Sequence, residues 1–246
     1  MFEIDSARFY MVISVIWVAL RIIRGLTTRK FDLKREILVS LLFAFLCFLS
    51  YRVFEPFRFV LEKANKPNLI PVVNSLKMIR TANATEYLPL IRIVQILLIG
   101  NLLIFVPIGL LAGILFKDLR SGWKMLLVGV GISLTIEILQ LILAVRVFDV
   151  DDILLNALGT WLGYLLFLGV NALPPFRRLF ESIAKAQRPG AGMFFGITAL
   201  VVGIAFFGHI YQGWQAVQDV GDRIIGEPEG KTLLEWLRWL LSQGHG

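Results

Sequence analysis

With 246 residues, 57% of them hydrophobic and 17% charged, and a mean hydropathy of +0.74, the chain is more apolar than soluble domains, where about 45–50% of residues are apolar and about 25% charged. That composition excludes an ordinary soluble domain and points to a bilayer as solvent. A single cysteine, Cys47 within an apolar run, excludes a disulfide framework or thiolate metal site in one chain and reads as a small buried hydrophobe. The net charge of +7 is spread over short connections between apolar runs, which argues for membrane topology and against nucleic acid.

In chain order, Met1 to Tyr10 offers only Arg8 before the first apolar run. It lacks the basic region and small-residue cleavage site of a secretory signal, so the run is expected to persist as a helix. Roughly 20 apolar residues cross a hydrocarbon core, because a helix rises about 1.5 Å per residue and lipid cannot satisfy open backbone groups. Six segments qualify: Phe9 to Leu26, Glu36 to Phe54, Leu90 to Phe116, Trp123 to Val145, Ile153 to Ala172 and Met193 to Gln212. The expected fold class is all-α, a polytopic transmembrane helical bundle with interfacial amphipathic segments.

Orientation follows from the bases in short connections. The first holds Arg21, Arg24, Arg29, Lys30, Lys34 and Arg35; the third holds Lys117, Arg120 and Lys124; the fifth holds Arg177, Arg178, Lys185 and Arg188. These are expected to face the cytoplasm. The connection between the fourth and fifth segments has Arg146 beside Asp149, Asp151 and Asp152 and belongs outside, as do both termini. The second connection is also basic, but it is long, and long loops obey the charge rule poorly.

Within that long outer loop, Pro56, Pro67, Pro71 and Pro89 exclude a continuous helix. Short amphipathic pieces are expected around Phe57 to Lys63 and Ser75 to Arg80. Near the C-terminus, Glu235, Arg238 and Ser242 share a helical stripe while Leu233, Leu234, Trp236, Leu237, Leu240 and Leu241 cover the rest, as in an interfacial helix or a docking helix for a partner. Arg177 to Gly192 reads as a basic cytoplasmic connection. The expected organisation is a two-helix N-terminal extension (1–54), an outer loop (55–91), a transmembrane core (92–212) and an amphipathic tail (213–246).

The informative polar residues lie in three segments. In the third, Pro107 cannot donate to the carbonyl of Leu103, which predicts a kink, and Gly109 with Gly113 forms a pair that admits another backbone or simply packs. In the fourth, Ser133, Glu137 and Gln140 share one face. A charge near the bilayer centre costs about 3 kcal/mol even on insertion scales, so Glu137 is expected to face protein or water and to have a partner; a purely structural, hydrogen-bonded glutamic acid is the alternative. The fifth opens with Asp149, Asp151 and Asp152, and its Asp152, Asn156, Gly159 and Gly163 share a face. Helix capping explains one of the three aspartates.

At 1.5 Å per residue, Glu137 falls about 12 Å below the outer end of its segment, Asn101 about 13 Å below Arg92, and Asn156 about 6 Å below Asp152. Short connections make the third and fourth segments, and the fourth and fifth, antiparallel neighbours. These polar groups then converge in one outward-opening cavity.

The run NLLIFVPIG from Asn101 to Gly109, the IEILQ segment with Glu137 and Gln140, and RVFDVDDILLNALGTWLGY from Arg146 to Tyr164 resemble the VanZ-like family of bacterial membrane proteins. NLIP, Asn68 to Pro71, is similar to that family's NLxPF element, with Val72 where Phe is usual. The resemblance covers Pro67 to the sixth segment. It carries over to Asn101, Phe105, Pro107, Gly109, Glu137, Gln140, Arg146, Asp149, Asp152, Asn156, Gly159 and Gly163, and it implies a link to low-level teicoplanin resistance without specifying a biochemical activity.

Three functions remain open at this level. The leading one is an envelope binding protein, in which Asn101, Glu137, Gln140, Asp149, Asp151, Asp152 and Asn156 take a group from a membrane lipid, peptidoglycan precursor or lipoglycopeptide, and Arg146 meets a phosphate or carboxylate. A second is a membrane enzyme acting on a lipid head group, with the aspartates and Glu137 binding Mg²⁺ or Ca²⁺. Against it, Cys47, His209 and His245 all lie outside the constellation, so no nucleophile stands beside a base. The third is a small transporter or lipid scramblase using buried Glu137 beside a Pro-kinked helix, although no inverted repeat accompanies it. No cofactor and no resident metal are assigned.

Overall fold

In the computed structural model, residues 6–28, 32–54, 79–81, 83–84, 88–142, 148–185 and 189–225 are described. The chain forms α1 (Ser6–Thr28), α2 (Leu33–Phe54), α3 (Leu88–Leu115), α4 (Gly122–Ile142), α5 (Val150–Asn171), α6 (Pro174–Lys185) and α7 (Ala191–Ile225), with a 3₁₀ turn at Lys117–Leu119. Six of these, all but α6, contain a stretch long and apolar enough to cross a membrane. The expected all-α bundle is what forms. Leu103, Leu141, Leu166, Leu200 and Phe207 are exposed on its outer surface, where lipid is the natural solvent.

Burial between helices gains little hydrophobic free energy inside lipid, which is itself apolar, so close packing and interhelical hydrogen bonds must hold the spans together. Glycine supplies the packing. A Cβ on Gly109 of α3 would overlap the carbonyl of Thr160 on α5, and one on Gly159 or Gly163 of α5 would overlap the carbonyl of Leu102 or Val106 on α3. Gly113 lies against the ring of Phe167, at 2.8 Å from the added atom. The two backbones are therefore in direct contact along a seam that only hydrogen side chains permit.

On its other side α5 meets α4, where a Cβ on Gly129 would come within 2.7 Å of Ala157 Cα and Thr160 Oγ1. This differs from the side-by-side placement expected for the third and fourth segments. α5 lies between α3 and α4, which touch each other only slightly, because the glycine contacts draw both onto α5 more strongly than a short turn draws them together.

α2 threads the remaining core, with Val39, Leu42, Phe43, Leu46 and Cys47 buried against α1, α3 and α7. Trp17 of α1 stacks on Phe43 at 4.3 Å and meets Phe194 of α7 edge-on. Tyr10 and Ser50 share a hydrogen bond of 2.6 Å, and Arg21 grips Glu36 through two.

The basic ends of the helices gather at one end of the bundle and are built into it. A helix leaves its last four carbonyls without partners. In α3 each finds one: Ala112 accepts from Phe116 N, Gly113 from Arg120 Nε at 2.8 Å, Ile114 weakly from Arg120 Nη2 at 3.4 Å, and Leu115 from Arg35 Nη1 at 2.8 Å. Arg35, only 1% exposed, also reaches the carbonyls of Ile183 at 3.1 Å and Pro189 at 3.0 Å. One guanidinium thus ties α2, α3, α6 and the entry to α7. Arg120 lies over the ring of Phe167 and pairs with Glu181 of α6, as does Lys117. Lys117 first and then Arg120 hold the Glu181 carboxyl below its ordinary range.

The segment around Arg177, expected as a plain connection, is the amphipathic helix α6. Phe180, Ile183 and Ala184 are buried, while Arg177, Arg178 and Lys185 are exposed. The periodicity was present in the sequence but was masked by the density of positive charge. α7 also runs further than its apolar stretch, to Ile225. The loop around Phe57 to Lys63, the NLIP element and the stripe from Leu233 to Ser242 lie outside the described residues, and of the second loop piece only Ile79 and Arg80 are described.

Candidate functional site

The polar residues of α3, α4 and α5 collect at the end of the bundle opposite Arg35 and Arg120. The first amides of a helix need acceptors, and α5 begins with them supplied. Asp149 has an extended backbone and its Oδ1 accepts from the amide of Asp151 at 2.9 Å, the geometry of an N-cap. The amide of Asp149 in turn donates to Glu137 Oε2 at 2.9 Å. Glu137 is 3% exposed, so its buried carboxylate answers a backbone donor beside the positive end of the α5 dipole.

This contact also sets depth. Glu137 precedes the end of α4 at Ile142 by more than one turn, so α5 starts well below the tip of α4. The tiers below follow in register. Asn156 Nδ2 donates to Ser133 Oγ at 2.8 Å, one turn deeper on α4, and Thr160 returns its hydroxyl to the carbonyl of Asn156 at 3.0 Å.

From α3, Asn101 Nδ2 donates to Asp152 Oδ1 at 2.6 Å, and one turn further on, Phe105 is buried with its Cβ against Gly159. Pro107 lies inside α3, half-buried, between these two contacts and Gly109. Asp151 is buried as well. Three helices therefore bring Asn101, Ser133, Glu137, Asp149, Asp151, Asp152 and Asn156 together. Gln140 departs from the group: its Nε2 approaches the carbonyl of Val53 at 3.5 Å, which turns it toward the end of α2. Arg146 lies outside the described residues.

Most of this network is satisfied internally. One buried atom is not: Asn156 Oδ1 has no hydrogen-bond partner in the structure. Exchanging the amide's nitrogen and oxygen would not remove the problem, since Ser133 would then accommodate Oδ1 and leave Nδ2 open. Among the described residues, no group of three carboxylate, histidine or cysteine side chains stands close enough together to hold a metal ion.

Thr160 and Gly129 were not singled out by sequence, nor was Arg35 as more than a topological charge. For Thr160 the available signal was its place one turn after Asn156; for Arg35 it was a base at the very start of an apolar run. Neither signal names a partner.

A multi-pass helical protein with a hydrophilic network buried between three spans is the class these features define. The chain belongs to the VanZ/LLP1 family, which its residues 37–172 match. That match takes in most of α2, upstream of the quoted motifs, and ends before α6. The chain is similar to Protein VanZ of Enterococcus faecium, with 40% identity over 70 residues, 28% of this chain and 43% of the relative. The similar segment thus spans less than half of that relative's length. No solved structure matches the chain.

Proposed function

We propose that the polar end of α3, α4 and α5 is an outward-facing recognition site in a bacterial cytoplasmic membrane. Its Asn101, Glu137, Asp149, Asp151, Asp152 and Asn156 line a cavity that takes a cationic or hydrogen-bond-donating group of a lipid, peptidoglycan precursor or lipoglycopeptide. Susceptibility to teicoplanin-type glycopeptides is the expected phenotype. The observation that carries this reading is the buried Asn156 Oδ1, an acceptor left open beneath several carboxylates. An unpaired buried polar atom costs roughly 1–3 kcal/mol, so a donor arriving there is favoured.

The outward placement rests on charge. Arg21, Arg35, Lys117, Arg120 and Lys124 gather at the opposite end, and basic ends favour the cytoplasmic side. Both termini then lie outside.

The test uses two near-isosteric variants, Glu137→Gln and Asp152→Asn, together with Asn156→Ala, each checked for normal insertion. Ligand binding by the purified chain and glycopeptide susceptibility of cells expressing it are expected to shift in all three. Unchanged binding and unchanged susceptibility in every variant would reject the proposal.

A further inference from the structure

At the basic end, α6 leaves the bundle's last polar surface uncovered. A groove of about 570 Å³ runs along it, lined by Pro174, Arg177, Arg178, Glu181, Ser182 and Lys185. Glu181 is already matched by Lys117 and Arg120. Among the described residues, no carboxylate pairs with Arg177, Arg178 or Lys185, so the groove carries an excess of positive charge; the Ser182 hydroxyl is spent on the carbonyl of Leu179 at 2.7 Å.

Its location limits what can fill it. α6 begins three residues after the span ending at Asn171 and is followed by the span that opens at Ala191. A helix so tethered lies at the bilayer surface, at the level of lipid headgroups. Its entry also presents two large apolar side chains, Leu173 at 52% and Phe176 at 42% exposure, beside the arginines. Cationic side chains next to exposed apolar ones form the pattern of a surface that meets phosphate and acyl chain together.

We propose that this groove binds the phosphate headgroup of an anionic phospholipid of the surrounding leaflet. Arg177, Arg178 and Lys185 contact the phosphate, and Leu173 and Phe176 pack on the acyl chains. The lipid thereby holds α6 down on the ends of α3 and α5, which its Phe180, Ile183 and Ala184 already cover.

The experiment is native mass spectrometry of the full chain in mild detergent, titrated separately with phosphatidylglycerol, phosphatidylcholine and inorganic phosphate. Phosphatidylglycerol is expected to be retained about tenfold better than phosphatidylcholine, the scale set by a few basic side chains at an anionic surface. The triple variant R177Q/R178Q/K185Q should lose that preference, while R177K/R178K, which keeps the charge, should retain it. The proposal is overturned if the triple variant melts like the parent and still prefers the anionic lipid. It is equally overturned if the two lipids bind alike, or if millimolar phosphate displaces phosphatidylglycerol.

Discussion

The carboxylate of Glu137 on α4 accepts the backbone amide of Asp149, the capping residue of α5, at 2.9 Å. A charge-bearing side chain within one span is thus answered by the start of the next, and the same contact places α5 against α4 so that Asn156 reaches Ser133. Glu137 is therefore both a member of the polar network and the group that sets its register.

Replacing Glu137 separates these roles. Glu137→Gln keeps an acceptor for the Asp149 amide and is expected to leave the thermal unfolding of the detergent-solubilised protein within a few degrees of the parent. Glu137→Leu removes the acceptor from that part-buried donor, at about 1 kcal/mol or more, and should lower the melting temperature clearly. Equal melting of the two variants would show that the amide has another acceptor.

Glycine substitutions read the α3–α5 seam. Gly109→Ala sets a methyl group against the Thr160 carbonyl, where neither backbone can yield without separating the helices. Destabilisation of about 1–3 kcal/mol or more is expected, as for other overpacked sites. Gly131→Ala, where nothing lies within 4 Å, should be neutral or stabilise by up to about 1 kcal/mol, since alanine favours the helix over glycine. Comparing the two by melting, or by protease resistance in detergent, isolates the contact from the general effect of alanine on a helix.

Arg35 reaches partners far along the chain, Leu115, Ile183 and Pro189. Arg35→Lys keeps the charge at that end but supplies a single ammonium in place of a planar fork. At least one buried carbonyl then goes unpaired, which costs about 1–3 kcal/mol. Hydrogen exchange in α6 and at the end of α3 should rise more than in α1, and an unaltered exchange pattern would contradict the assigned role.

Glu181 predicts a pH dependence. Its folded carboxyl titrates below the ordinary value of 4.5, first because of Lys117 and then Arg120. The stabilisation is therefore complete above that ordinary value and is lost as pH falls through the lower folded one. The pair is over a third exposed, so solvent screening limits the effect to about 1 kcal/mol or less. Glu181→Gln should melt slightly below the parent at pH 7, with the difference vanishing as the pH falls below 4.5.

Much of this protein was legible from residue order. The spans could be read because lipid demands long apolar runs with closed backbones, and that demand is local. Asp149 as a cap, Pro107 inside a span and the glycines as contact points follow from the same local chemistry. α6 was harder, since four buried or half-buried apolar side chains were interleaved with four charges, and a connection rich in arginine looks alike whether it is helical or not.

What residue order determined by itself is that six segments are long and apolar enough to cross a bilayer and that Asn101, Glu137, Asp152 and Asn156 belong to three of them. Only the tertiary structure decided that α5 sits between α3 and α4, that Gln140 turns toward Val53, and that Arg35 closes carbonyls 80 to 154 residues away. The physical reason is that lipid fixes which stretches are helical but is indifferent to how the helices are rotated and paired. Those choices depend on where two backbones can touch, at Gly109, Gly159 and Gly163, and such complementarity exists only between segments already brought face to face.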